Sequence, residues 1–132
     1  MRYLLDTHII LWELIGDRRL SKEARNIIED SKNEIFYSTA SSWEIEIKHL
    51  SRENFKLSAD QFTFLCDQNG INNLQIKNTN VSKLKDIIKV KNTKHNDPFD
   101  KMLLAQAISE NMILITHDKK FLAYSNPSIM IV

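Results

Sequence analysis

Asn96-Asp97-Pro98-Phe99-Asp100 opens the helix Lys101–Glu110, and the apolar strand Met112–Thr116 follows it directly. Asp97 reads as the helix cap and Pro98 as its first residue, with Asp100 favouring the positive end of the helix dipole. On a 3.6-residue period Asp100 lies in line with Leu103, Leu104, Ala107 and Asn111. A carboxylate on an apolar face is costly to desolvate unless it is paired, hydrated or bound to a cation. Capping chemistry explains the turn but not this choice of face.

The helix-then-strand unit repeats toward both ends of the chain. Tyr3–Leu5 reads as a buried strand ending at an acid, and Ile9–Ile15 as a buried helix stopped by Gly16-Asp17. Leu20-Ser21 opens a second helix, and Ile35–Tyr37 lies in a second strand. Ala40–Leu50 is a third helix, with Trp43, Ile47 and Leu50 as its apolar stripe. Ser58–Gln68 is a fourth, with Phe62 and Leu65 inward and Asn69-Gly70 as its stop. Asn73–Ile76 reads as a strand, Asn80–Ile88 as a helix, Phe121–Tyr124 as a short helix and Ile129–Val132 as a last strand. Alternating strands and helices argue for an α/β fold: three α/β/α layers around a mainly parallel sheet.

Composition sets the outer bounds. The 132 residues suit one domain, residues 1–132, able to bury roughly two-thirds of its unfolded surface. Hydrophobic residues at 42% and charged residues at 27% give a globular balance. A net charge of +1 leaves any polyanion affinity to local patches. The single cysteine, Cys66, allows no internal disulfide and no thiolate metal cluster, and is expected as a buried thiol. Asp6 and His8 interrupt the apolar N-terminus, and no apolar run approaches the ~18 residues of a membrane span, so a cytoplasmic location is expected.

The acids follow the strands. Asp6 comes after the first strand, Asp118 after Met112–Thr116, and Glu44 lies early in the helix after the second strand. In a doubly wound sheet, ligands bind at the carboxyl ends of strands where strand order reverses. Singly, each acid has a structural explanation: Asp6 and Asp118 as caps, Glu44 as an i, i+4 partner of Lys48. Together they would repel one another and raise each other's pKa, a liability without a counter-ion. A hard divalent cation resolves this, and an all-oxygen donor set suits Mg²⁺ or Mn²⁺ better than Zn²⁺. The implied chemistry is metal-assisted phosphodiester hydrolysis. Periodicity alone does not choose between Glu44 and Glu46 on their helix.

Four separated motifs carry a resemblance. Leu4-Leu5-Asp6-Thr7-His8, Ser42-Trp43-Glu44-Ile45, Asp97-Pro98-Phe99-Asp100-Lys101 leading to Ala105-Gln106-Ala107, and Thr116-His117-Asp118 resemble, in order, the PIN-domain ribonucleases. More closely they resemble the VapC-type toxins of bacterial toxin–antitoxin pairs. The resemblance implies Mg²⁺/Mn²⁺-dependent endoribonuclease activity on RNA, inhibition by a small antitoxin protein, and frequent homodimers. Residue by residue, Asp6, Glu44, Asp100 and Asp118 match the family's acidic quartet, which selects Glu44 over Glu46. The family's Arg after the motif's second Asp is Lys101 here, and its frequent upstream Leu-Pro is Lys91-Asn92. Neither departure touches the quartet.

Around the quartet, Asp97, Thr7, Ser42 and Thr116 are candidate orienting residues, although capping is the commoner role for such side chains. Lys77, Lys83, Lys85, Lys89, Lys91 and Lys94 form a basic run; Lys89, Lys91, Lys94 and Lys101 are candidate RNA contacts, against a solvated-face alternative. His8 and His95 sit beside the acids without an assigned role. Trp12 and Trp43 are expected in the core. The competing reading is a non-catalytic or phosphoacceptor signalling module that binds a divalent cation. A receiver domain needs an adjacent acidic pair and an Asp ending a central strand, but Asp6 stands alone and Ser38 follows Ile35–Tyr37. A haloacid-dehalogenase-type phosphatase needs an Asp where His8 stands.

Overall fold

A computed structural model of the chain describes residues 1–87 and 96–132. Five strands, β1 (Arg2–Leu5), β2 (Glu34–Ser38), β3 (Asn72–Leu74), β4 (Ile113–Thr116) and β5 (Ile129–Ile131), pair in parallel in the order β3-β2-β1-β4-β5. Helices α1 (Thr7–Ile15) and α2 (Lys22–Glu29) connect β1 to β2, and α3 (Thr39–Ser51) and α4 (Ala59–Gln68) connect β2 to β3. Helices α5 (Asn78–Ser82) and α6 (Pro98–Ser109) lie between β3 and β4.

Strand alternation builds two cores. Tyr3, Leu5, Ile35, Tyr37 and Ile115 point to one face and pack with Ile9, Ile10, Ala24, Ile45 and Phe62. Leu4 and Leu114 point to the other and pack with Leu103, Leu104, Ala107, Phe121 and Tyr124 of α6 and the segment after β4. A parallel sheet covered on both faces needs apolar residues at consecutive positions, which is what β1 and β4 supply. The three-layer α/β/α expectation therefore holds.

Element starts follow local chemistry. Ser21 caps α2 by accepting from the Ala24 N–H, and Ser58 caps α4 in a reciprocal box with Gln61. Gly16 ends α1 at φ 66, a left-handed conformation that favours glycine. Of the expected Asn80–Ile88 helix, whose last residue lies outside the described residues, α5 starts earlier and ends at Ser82, and Lys83–Asp86 is a 3-10 turn. The expected short helix Phe121–Tyr124 is likewise a 3-10 segment, Lys119–Ala123, which starts two residues earlier and ends before Tyr124.

Two inward assignments are corrected. Trp43, Ile47 and Leu50 are 61%, 43% and 78% exposed, so the apolar stripe of α3 faces outward. The helix instead sends Ala40 to one core and Ile45 to the other. On α4, Phe62 and Cys66 are buried whereas Leu65 faces solvent. A helical period shows that a face is apolar; it does not show whether this chain or another molecule covers it. Burial of Cys66 is as expected, and it pushes the thiol up to about 12.

Candidate metal centre

Sheet order reverses between β1 and β4, and both strands end in acid-bearing turns. The Asp6 N–H donates to the Ile115 carbonyl (2.9 Å), extending the β1–β4 ladder to the site. The carboxylate of Asp6 is then held from two sides. Its Oδ1 accepts from the Thr7 N–H (2.8 Å), capping α1, and its Oδ2 accepts from the Thr116 hydroxyl (2.7 Å) at the end of β4. The Thr116 Oγ1 also accepts from the Asp118 N–H (3.0 Å), so one hydroxyl sets both acids. Asp118 caps the next turn through the Lys120 N–H (2.9 Å). The buried Thr7 hydroxyl donates to the Ser41 Oγ (2.8 Å) and joins α1 to α3.

The helix α6 brings its acids from the other core. Asp97 caps it, accepting from the N–H groups of Phe99 (2.9 Å) and Asp100 (3.3 Å), with Pro98 in the first turn. Asp100 follows in that turn, half-buried. Glu44, half-buried in the second turn of α3, stands 3.8 Å from the Lys48 ammonium at i, i+4.

These acids sense one another. Burial pushes the Asp100 carboxyl up to about 8, reinforced by the negative charges of Asp6, Asp97, Asp118 and Glu44. Burial also raises Asp6, with Glu44 adding to it and the bonds from Thr116 and Thr7 opposing it. Burial and the charges of Asp100 and Asp97 hold the buried Tyr124 phenol up at about 12. Carboxylates after β1, on α3, on α6 and in the turn after β4 thus act electrostatically on Asp100.

The supporting residues divide. Asp97, Thr7 and Thr116 bond within the site as described. Ser42 instead donates to the Thr39 carbonyl (2.9 Å) within its own helix, and its neighbour Ser41 makes the cross-element contact. Sequence reasoning assigned no site role to Ser41 or to the fully buried Gln106. Nothing in helical periodicity distinguishes Ser41 from Ser42; Gln106 is signalled by its place in the family-like Ala105-Gln106-Ala107 and by being polar inside the apolar run Leu103–Ala107. Lys101 donates to the Asn96 side chain (3.1 Å), while Lys89, Lys91, Lys94 and His95 lie outside the described residues. His8 is exposed, its ring 6.1 Å from that of Trp12, which is buried as expected. Trp43, expected inside, is exposed and packs edge-on against Phe99 (ring centroids 5.0 Å).

The donor set fits a hard divalent cation in chemistry: carboxylate oxygens, no thiol, and a mutual repulsion that a cation would relieve. Capping does not exhaust these oxygens, since an ionised carboxylate offers about four acceptor sites. Among the described residues, no group of three or more His, Cys, Asp or Glu side chains is already set to hold an ion.

Similar proteins share the fold. The chain resembles the VapBC-1 structure from nontypeable Haemophilus influenzae, at 20% identity and a TM-score of 0.71 over 99% of this chain and 98% of that one. It resembles VapBC2 from Rickettsia felis bound to a promoter DNA fragment, at 16% identity and a TM-score of 0.66 over 100% and 98%. A toxin–antitoxin complex from Klebsiella pneumoniae matches at 22% identity and a TM-score of 0.62 over 97% and 95%. At these identities the likeness is one of fold. No curated protein sequence matches the chain. Residues 3–126 match the PIN domain, a span running from β1 beyond Asp118 and so containing every acid of the cluster; the chain belongs to the PIN-domain family.

Proposed function

We propose that the protein is a Mg²⁺- or Mn²⁺-dependent endoribonuclease, the toxin of a toxin–antitoxin pair. Supporting this reading is the position of Asp6 and Asp118 at the ends of β1 and β4, where strand order reverses, together with the state of Asp100, which burial pushes up to about 8, reinforced by the charges of Asp6, Asp97, Asp118 and Glu44. Asp6, Glu44, Asp100 and Asp118 would hold the metal. When bound, Mg²⁺ or Mn²⁺ supplies phosphate neutralisation and an acidified water.

The chain's own residues do the rest. Thr116 and the Thr7 N–H fix both oxygens of Asp6, so its remaining lone pairs keep one direction. Asp97 fixes the first turn of α6 and with it the start of Asp100's side chain. Lys48 neutralises Glu44 until a cation arrives. RNA phosphates would be gripped by Lys101 and the basic run, making binding salt-dependent.

A small antitoxin is the proposed partner. The Klebsiella pneumoniae relative was solved as a toxin–antitoxin complex. Trp43, Ile47, Leu50, Phe64 and Leu65 leave α3 and α4 with exposed apolar residues of the kind a partner helix covers. Self-association as a homodimer is the further expectation. Among the described residues no helix is long and apolar enough to cross a membrane, and a cytoplasmic location is proposed.

Purified protein is expected to cleave RNA with Mg²⁺ or Mn²⁺ and to lose that activity in excess EDTA; equal cleavage in EDTA contradicts the reading. The two glutamates of α3 separate it further. Glu44→Gln should lower cleavage by about a hundredfold, as loss of one charge-stabilising group at a reacting centre does. Glu46 accepts from the Ala59 N–H (3.2 Å), away from the site, and a glutamine oxygen keeps that bond. Glu46→Gln should therefore cleave at near wild-type rates, and like behaviour of the two variants would refute the assignment.

A further inference from the structure

One fully buried amide joins the two helices that carry Glu44 and Asp100. Gln106 of α6 is 0% exposed, as is Ser38, the last residue of β2. The Ser38 hydroxyl donates to Gln106 Oε1, and its oxygen accepts from the Ala40 N–H (2.9 Å), capping α3. Gln106 Nε2 donates to the Leu74 and Gln75 carbonyls (3.4 Å each) where β3 ends. The amide thus meets a hydroxyl donor on one side and two carbonyl acceptors on the other. Among side chains of this length only glutamine offers that pattern: glutamate would set its oxygens against the carbonyls, and methionine offers no strong donor or acceptor.

The placement matters because of what each helix carries. Asp100 lies six residues before Gln106 on α6, and Glu44 six residues after Ser38 along α3. At 1.5 Å per residue each carboxylate stands about 9 Å along its helix from the contact. Sliding of α6 against α3 is transmitted directly to the separation of the two acids. We propose that Gln106 is a positioning residue that locks α6 to the start of α3 and so fixes the spacing of Asp100 and Glu44. Its consequence for metal binding rests on the metal-centre reading above; the locking itself does not.

Trp43 supplies a metal-free reporter, since it sits on α3 and its ring meets Phe99 of α6. In Gln106→Met, which keeps volume and removes the polar contacts, the indole N–H resonance of Trp43 should shift or broaden. That of Trp12, which packs in the other core, should stay. The two resonances are told apart by Trp43→Phe. Mn²⁺ affinity, read from free Mn²⁺ by electron paramagnetic resonance, should fall about tenfold, the low end for a residue that orients ligands. Ser38→Thr, which keeps the donor and the cap, should stay within about twofold of wild type, whereas Ser38→Ala should behave like Gln106→Met. If Gln106→Met does not fold, the Ser38 pair carries the same readouts. An unmoved Trp43 resonance together with unchanged Mn²⁺ affinity in a folded variant overturns the proposal. A moved Trp43 resonance in a protein whose wild type binds no Mn²⁺ upholds the lock and removes the metal centre.

Discussion

Asp100→Asn is expected to abolish RNA cleavage, by about a hundredfold to a thousandfold, and at the same time to stabilise the metal-free protein. Both effects come from one cause. The carboxyl of Asp100 is pushed up to about 8 by burial and by Asp6, Asp97, Asp118 and Glu44, so its ionised form destabilises the fold. The folded state then holds a proton that the unfolded chain has released above pH ~4. Stability from this group is present below pH ~4 and is lost as pH rises through about 8. Asparagine removes that loss. It also removes a first-turn acid, worth about 0.5 kcal/mol of helix-dipole energy, but the relieved burial cost and repulsion together are on the order of 2 kcal/mol even after discounting for the partly exposed site. Urea melts of both proteins without divalent ions should therefore converge near pH ~4, separate progressively as pH rises, and differ most above about 8. Saturating Mn²⁺ should reverse the ranking, because ligand at a hundred times its Kd adds about 2.7 kcal/mol to whichever protein binds it. A variant less stable than wild type at pH 9 without metal would contradict this account of Asp100.

Thr116→Val carries the other large effect. Valine nearly matches threonine in shape but leaves the buried Asp6 Oδ2 without its donor and the Asp118 N–H without its acceptor. Each orphaned group costs about 1–3 kcal/mol, so a loss of about 2 kcal/mol or more is expected in a denaturant melt. Losing the bond to Thr116 should also raise Asp6 further, since that bond lowers it. Mn²⁺ affinity should fall roughly tenfold to a hundredfold, as it does when a ligand's orienting partner is removed. Thr116→Ser keeps the hydroxyl and should retain most of both properties. Equal stability of the valine and serine variants would mean that the Thr116 hydroxyl does not hold the two acids.

The architecture was legible because its signals are local. Tyr3–Leu5 and Met112–Thr116 are apolar at consecutive positions, which a sheet covered on both faces demands, and the acids closing those strands mark the rim. Gly16, Ser21, Ser58 and Asp97 stop and start helices through contacts spanning only a few residues. What was not legible depends on partners distant in sequence. The stripe Trp43, Ile47 and Leu50 has a helical period whichever surface it meets, and here it meets solvent. Ser41 and Ser42 are equivalent until Thr7, 34 residues away from Ser41, selects one of them. Gln106 reads as a polar interruption of an apolar face until Ser38, Leu74 and Gln75 supply its hydrogen bonds. The quartet itself lies between these cases. Position put Asp6 and Asp118 at one rim, but choosing Glu44 over Glu46 rested on family likeness. In the fold, Glu44 acts on Asp6 and Asp100, while Glu46 turns to the Ala59 N–H.

The central claim is that four acids from separate elements share a cation. Crystals of the wild-type protein soaked in Mn²⁺ and measured at the manganese edge test it most directly. An anomalous peak should lie about 2.1–2.3 Å from carboxylate oxygens of at least two of Asp6, Glu44, Asp100 and Asp118, and should vanish in Asp100→Asn. No peak among these residues at saturating Mn²⁺, in protein that still cleaves RNA, would contradict it.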